Sequence, residues 1–118
     1  MKHSFGMAKG DAILQGTLDL MVLKTLEALG PLHGYGIARR LEQVSRDTIS
    51  LNPGTIYAAV VRLQQRKWIS ASWGTSENNR RARFYAITAT GRKQLANETE
   101  EWDRLSGLVG RVLNLKAE

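Results

Sequence analysis

The sequence predicts a mostly α-helical fold with one small β-hairpin and a long helix at its C-terminal end. Three observations carry this reading. Before residue 67, three segments place apolar residues at helical spacing. Two short alternating segments flank the polar stretch GTSENNRRARFY (74–85), as the strands of a hairpin would. After residue 89 an apolar stripe recurs every seven residues. At 118 residues and 42% apolar content the chain can bury one core.

Each element has its own local signals. The opening MKHSFGMAKG (1–10) is basic, lacks the apolar centre of a secretory signal and reads as a loose tail. Residues 12–29 form the first helix, with Leu14, Leu18, Met21, Val22, Thr25 and Leu29 on one stripe. Ile13, Leu20 and Leu23 lie on other faces, so this helix is covered on more than one side. Gly30 and Pro31 stop it. A second helix spans 34–46, with Ile37, Leu41 and Val44 at i, i+4, i+7; His33 stands just before it and reads as a helix-start residue rather than a ligand. Asn52 as N-cap and Pro53 as first helical residue open a third helix through residue 66. Its Ile56, Val60 and Leu63 face the core, while Thr55, Ala58, Ala59, Arg62, Gln65 and Arg66 face outward.

In the first strand Ile69, Ala71 and Trp73 share a face, and in the second Tyr85 and Ile87 oppose Phe84 and Ala86. Trp68 and Trp73 are expected to cover the core. The last helix covers about 89–113. Leu95, Trp102 and Val109 repeat every seven residues, with Leu105 and Val112 at an offset of three and Glu98 interrupting that second series. Such a stripe on a lone terminal helix needs something to pack on. The organisation expected is a tail (1–10), a domain (11–88) and a C-terminal dimerisation helix (89–118).

Composition narrows the function. Without cysteine there are neither disulfides nor thiolate metal sites, and His3 and His33 are too far apart for a local metal motif. The apolar run 12–30 contains Asp19, Lys24 and Glu27, which a membrane span tolerates poorly; the chain reads as soluble and cytoplasmic. No Gly-rich phosphate loop, paired-carboxylate motif or nucleophile–histidine arrangement is present, so no catalytic residue, metal or cofactor is assigned. The net charge of +6 is unevenly spread: residues 1–30 balance, residues 31–93 carry eleven basic and three acidic groups, and residues 94–118 carry three basic and five acidic ones. A basic middle segment at +8 implies a polyanionic partner, nucleic acid before a membrane surface.

The order helix, helix, helix, strand, strand, helix, with a capped and uncrowded third helix and a basic hairpin tip, is that of a winged helix–turn–helix. In that layout the third helix enters the major groove of double-stranded DNA and the second crosses the backbone. Asn52 and Thr55, with Ala59, would face base edges or the backbone, helped by the helix N-terminus. Arg39 and Arg40 suit backbone contact, unless one pairs with Glu42 or Asp47. Arg80 and Arg81 present guanidinium forks to phosphates from the tip. Arg83 either joins them or pairs with Glu77. Tyr57 either donates its hydroxyl to a phosphate or packs, and Arg62 either meets the far strand or braces the wing.

The segments LHGYGIARRLE, GTIYAAVVRLQQRKWISASWG and NNRRARFYAITATGRKQL, in that order, resemble the PadR-like transcriptional regulators, over about residues 13–113. The resemblance implies a dimeric winged-helix repressor, with Gly54, Thr55 and Tyr57 opening the recognition helix and the single terminal helix packing across a dimer. Ala58 stands where the family commonly has proline, and Lys67 where it usually has glycine. The resemblance also implies a flat aromatic effector between dimer helices, beside Trp102; packing at the interface explains that tryptophan equally well. The competing reading is a winged-helix adaptor that meets an acidic protein through the same basic face.

Overall fold

The computed structural model describes residues 15–117. The predicted tail and the first residues of the predicted first helix lie outside that range. Four helices and three strands follow in the order α1 (Gln15–Leu29), β1 (Leu32–His33), α2 (Gly34–Val44), α3 (Pro53–Gln65), β2 (Ile69–Thr75), β3 (Arg81–Ile87) and α4 (Ala89–Leu113). The strands form one antiparallel sheet in the order β1-β3-β2. Sequence analysis anticipated the β2–β3 hairpin but not β1, because two residues are too short to show a period. Leu32 and His33 pair with Tyr85 and Phe84.

The core forms where α1, α2 and α3 meet, with Ile69 and Tyr85 of the sheet and Leu95 of α4 joining it. Leu18, Val22, Leu23 and Leu26 of α1 meet Ile37 and Leu41 of α2 and Ile56, Ala59, Val60 and Leu63 of α3. Ala59 was expected to face outward, yet it is fully buried. It lies one turn after Ile56, on the same stripe, and its small side chain lets the α3 backbone come close to its neighbours. Leu29 and Val44, expected on apolar stripes, are instead exposed.

Helix ends follow the local chemistry. The His33 Nδ1 accepts from the Gly36 N–H at 2.9 Å, which makes this histidine the N-cap of α2. Asn52 Oδ1 accepts from the Thr55 N–H at 2.8 Å and caps α3. At the end of α3 the Lys67 N–H donates to the Gln64 carbonyl and the Trp68 N–H to the Leu63 carbonyl, the paired bonds of a Schellman turn. That turn sets Lys67 at φ +64°, in the left-handed region where a side chain costs about 1 kcal/mol. The structure thus explains why glycine suits this position and why lysine is tolerated: the side chain is exposed and the turn is intact.

The junction into α4 is tight. The Thr88 N–H donates to the Trp68 carbonyl at 2.9 Å, and the Thr88 hydroxyl donates to the Lys67 carbonyl at 2.8 Å. The same hydroxyl oxygen accepts from the Gly91 N–H at 3.0 Å, capping α4. A Cβ on Gly91 would run into the Trp68 carbonyl oxygen and lie 2.8 Å from Ile87 Cγ1. Leu95, one turn on, is buried in the same core. This corrects its expected place in a dimer interface: it falls in the part of α4 that packs on α1.

Gly91→Ala should therefore lower the unfolding free energy by about 2–3 kcal/mol, since a helix would have to shift against backbone. Urea titration followed by circular dichroism checks this, and an unchanged midpoint would show that the junction is loose.

Candidate nucleic-acid interface

Helix α3 is buried along one side and open at its first turn. Asn52, Pro53, Gly54, Tyr57 and Ala58 are exposed and Thr55 is half-buried. Gly54 leaves room for the cap: a Cβ there would stand 3.3 Å from Asn52 Oδ1. A hollow of about 410 Å³ separates this turn from the start of α2. Tyr35, Arg39 and Tyr57 line it, with Tyr85 also contributing. Tyr57 is 66% exposed and so is not a core residue. Tyr35, 74% exposed, was missed in the sequence; its only signal there was an aromatic residue between two glycines at a helix start.

The angle between α2 and α3 is held by Glu42. Its Oε2 accepts from the Leu51 N–H at 2.9 Å, while its Oε1 stands 4.0 Å from the Arg39 guanidinium. Arg39 remains half-exposed at the hollow. Arg40 diverges from it: being one residue on, it turns away, lies 3.4 Å from the Gln43 side-chain oxygen and lines a different surface, between α1, α2 and α4. The structure does not bring Arg40 to the face of α3 that carries Thr55 and Tyr57.

Arg62 is corrected as well. Its Nε and Nη2 donate to the two carboxylate oxygens of Asp19 at 3.1 and 2.7 Å, a bidentate pair between α3 and α1. Asp19 is 9% exposed and Arg62 24%, and the hydrogen bond raises the guanidinium pKa above its ordinary value. Its fork is filled from within, so Arg62 braces α3 against α1.

The hairpin projects its cations as expected. The tip turns at Asn79, at φ +59°, with the Ser76 N–H donating to the Arg80 carbonyl at 2.8 Å. Arg80, Arg81 and Arg83 are all exposed. Among the described residues Arg83 makes no ion pair with Glu77; its guanidinium lies 5.4 Å from the ring centroid of Trp73, and that of Arg81 lies at 4.6 Å. Trp73, expected to cover the core, is 56% exposed and sits under these two arginines. Trp68 does pack on the core.

On α4, Trp102, Leu105, Val109 and Val112 are each about half exposed, along with Leu108. They continue an apolar groove of about 890 Å³ bounded by α1, α2 and α4, whose walls include Leu20, Met21, Leu29, Val44 and Trp102. Lys24 pairs with Glu27 at 2.9 Å on the groove wall. Among the described residues no cluster of His, Asp and Glu side chains could hold a metal, and no helix is long and apolar enough to cross a membrane.

A capped helix with a clear first turn, a preceding helix fixed against it and a basic hairpin beside them define a winged helix–turn–helix protein. Residues 22–97 match the transcriptional regulator PadR-like family, and the chain belongs to that family of DNA-binding, non-enzymatic regulators. It is 39% identical over 91 residues to a 37.1 kDa protein in transposon TN4556 of Streptomyces fradiae, covering 77% of this chain but only 24% of that protein. A transcriptional regulator from Clostridium thermocellum superposes with a TM-score of 0.73 at 26% identity, over 82% of this chain and 93% of its own. A PadR-like regulator from Bacillus cereus has the same fold, with a TM-score of 0.75 at 24% identity over 87% and 97% of the two chains.

Asp19→Ala leaves Arg62 half-buried without its partner. It should cost about 2 kcal/mol of stability, less than a fully buried pair because water reaches the guanidinium. An unaltered urea midpoint would mean that the pair does not hold α3 to α1.

Proposed function

We propose that the chain is a sequence-specific repressor that binds a pseudo-palindromic operator as a homodimer. The observation that carries this is the first turn of α3. It is capped by Asn52 at the Thr55 N–H and exposed, in a chain that also exposes arginines on α2 and on the wing. Asn52, Gly54, Thr55 and Tyr57 face the groove, where Thr55 and Tyr57 reach base edges or adjacent phosphates. Arg39, Arg80, Arg81 and Arg83 meet the backbone. The domain is residues 11–88, and the regulator works in the cytoplasm, where its operator lies.

Dimerisation is assigned to residues 89–118. Trp102, Leu105, Val109 and Val112 expose apolar surface on a single helix, and the groove beside α1 extends it. We assign Trp102 to packing against the partner helix. Two-fold symmetry then sets half-site centres about 34–36 Å apart, one turn of duplex.

The test is fluorescence anisotropy with duplex from upstream of the protein's own gene against a scrambled duplex, across a salt series. A preference of about a thousandfold is expected; equal, weak binding to both would remove the sequence-specific reading. Replacing Arg80 and Arg81 with alanine should weaken both complexes alike and reduce the salt slope by about 4, two arginines being lost from each of two wings. Unchanged affinity would take the wing out of the interface. Trp102→Glu should shift sedimentation toward monomer, and an unmoved sedimentation coefficient would dismiss the dimer helix.

A further inference from the structure

The β2–β3 register places Trp73 directly across from Arg83, and Thr75 across from Arg81. All four side chains therefore share one face of the hairpin. Nearer the base the same face carries Ile69 and Tyr85 into the core. That burial fixes the register, because a slip of one residue would turn the whole set to the other side. On the opposite face Phe84 lies so close over Gly74 that a Cβ there would come within 2.9 Å of its ring. Phe84 in turn packs tilted against His33, their ring centroids 5.3 Å apart. The hairpin base is thus held from both sides, while Trp73 stands beyond it with half its surface open.

The indole ring is within reach of two cations. Arg81 and Arg83 bring their guanidinium carbons to 4.6 and 5.4 Å from its centroid. A guanidinium stacked on an aromatic ring gives up only its flat face, which makes no hydrogen bond. Its N–H donors lie in the plane and stay free. The contrast with Arg62 is direct, since there a carboxylate has taken the donors themselves. Two residues apart on one strand, the two arginines are rooted about 6.8 Å from each other, of the order of the separation between successive phosphates on one DNA strand. An arginine left free would lose much of its side-chain freedom on meeting a phosphate; one already stacked loses less.

From this we infer that Trp73 is a positioning residue for the wing. Its ring holds Arg81 and Arg83 ready for the phosphate backbone without itself reading sequence. The inference rests on the DNA-binding reading above and adds to it a residue that no charge count would select.

Anisotropy with the upstream duplex and with a mixed-sequence duplex, across a salt series, tests it on the full chain. Trp73→Leu should leave the chain folded and weaken both complexes about tenfold, the cost of ordering on DNA arginine side chains no longer held in advance. Trp73→Phe, which keeps a ring, should recover most of that loss. In the Arg81→Ala, Arg83→Ala background Trp73→Leu should add nothing, because its effect passes through those arginines. If the leucine variant melts early, Trp73→Thr, with its strong strand preference, replaces it in the same cycle. Wild-type affinity in the leucine variant, or an equal loss with the arginines already removed, would overturn the proposal. A wild-type chain that binds neither duplex would instead defeat the DNA-binding reading, and the role of Trp73 with it.

Discussion

Helix α3 is held hard from one side by three attachments while its leading turn stays exposed. Ile56, Ala59, Val60 and Leu63 are almost completely buried, so the helix cannot roll. Glu42 pins the turn that precedes it through the Leu51 N–H, and Asp19 grips its far end through Arg62. What remains free is the first turn alone. Its N-terminal N–H groups are partly answered by Asn52, and its positive end faces outward. Most of the fold serves that placement. Helix α1 is a buried platform under α3, and the sheet closes the core beside it.

The same architecture sorts the cations by what has already taken their donors. Arg62 is committed to a carboxylate; Lys24 is paired at the surface, and Arg92 stands 3.9 Å from the same glutamate. Arg81 and Arg83 of the wing rest on an aromatic ring, which leaves their hydrogen-bonding edges available. A count of charges gives all of these equal weight. Geometry divides them into structural braces and groups with something left to offer a phosphate. Apolar surface is sorted in parallel: it is absorbed at the start of α4, where Leu95 joins the core, and exposed farther along the helix.

Helix positions, the Asn52 N-cap and the hairpin were legible because each rests on local chemistry: Asn-Pro at a helix start, glycine after a helix end, alternation on either side of an asparagine-rich turn. The extent of α4 came out as expected because a heptad stripe marks it. The misplacements share a cause. Ala59, Arg62, Leu95 and Trp73 were each assigned by residue type and by position along one helix or strand. Their surroundings were set by partners far away in sequence: α1 for three of them, and the neighbouring strand for the fourth. Asp19 illustrates it best. It reads as a charge that interrupts an apolar helix until Arg62, forty-three positions later, arrives beside it. β1 escaped notice because two residues carry no pattern.

The welded start of α4 has a mechanical consequence. Thr88 and Gly91 leave no slack between this helix and the end of α3, so the two move as one body. Helix α4 runs for 25 residues, a lever of about 37 Å at 1.5 Å per residue. With its far end fixed, a tilt of about 5° at that end swings the junction by about 3 Å, close to the rise of one base pair. Whatever grips the outer turns of α4 therefore sets the register in which α3 is offered, with gearing fixed by the helix length.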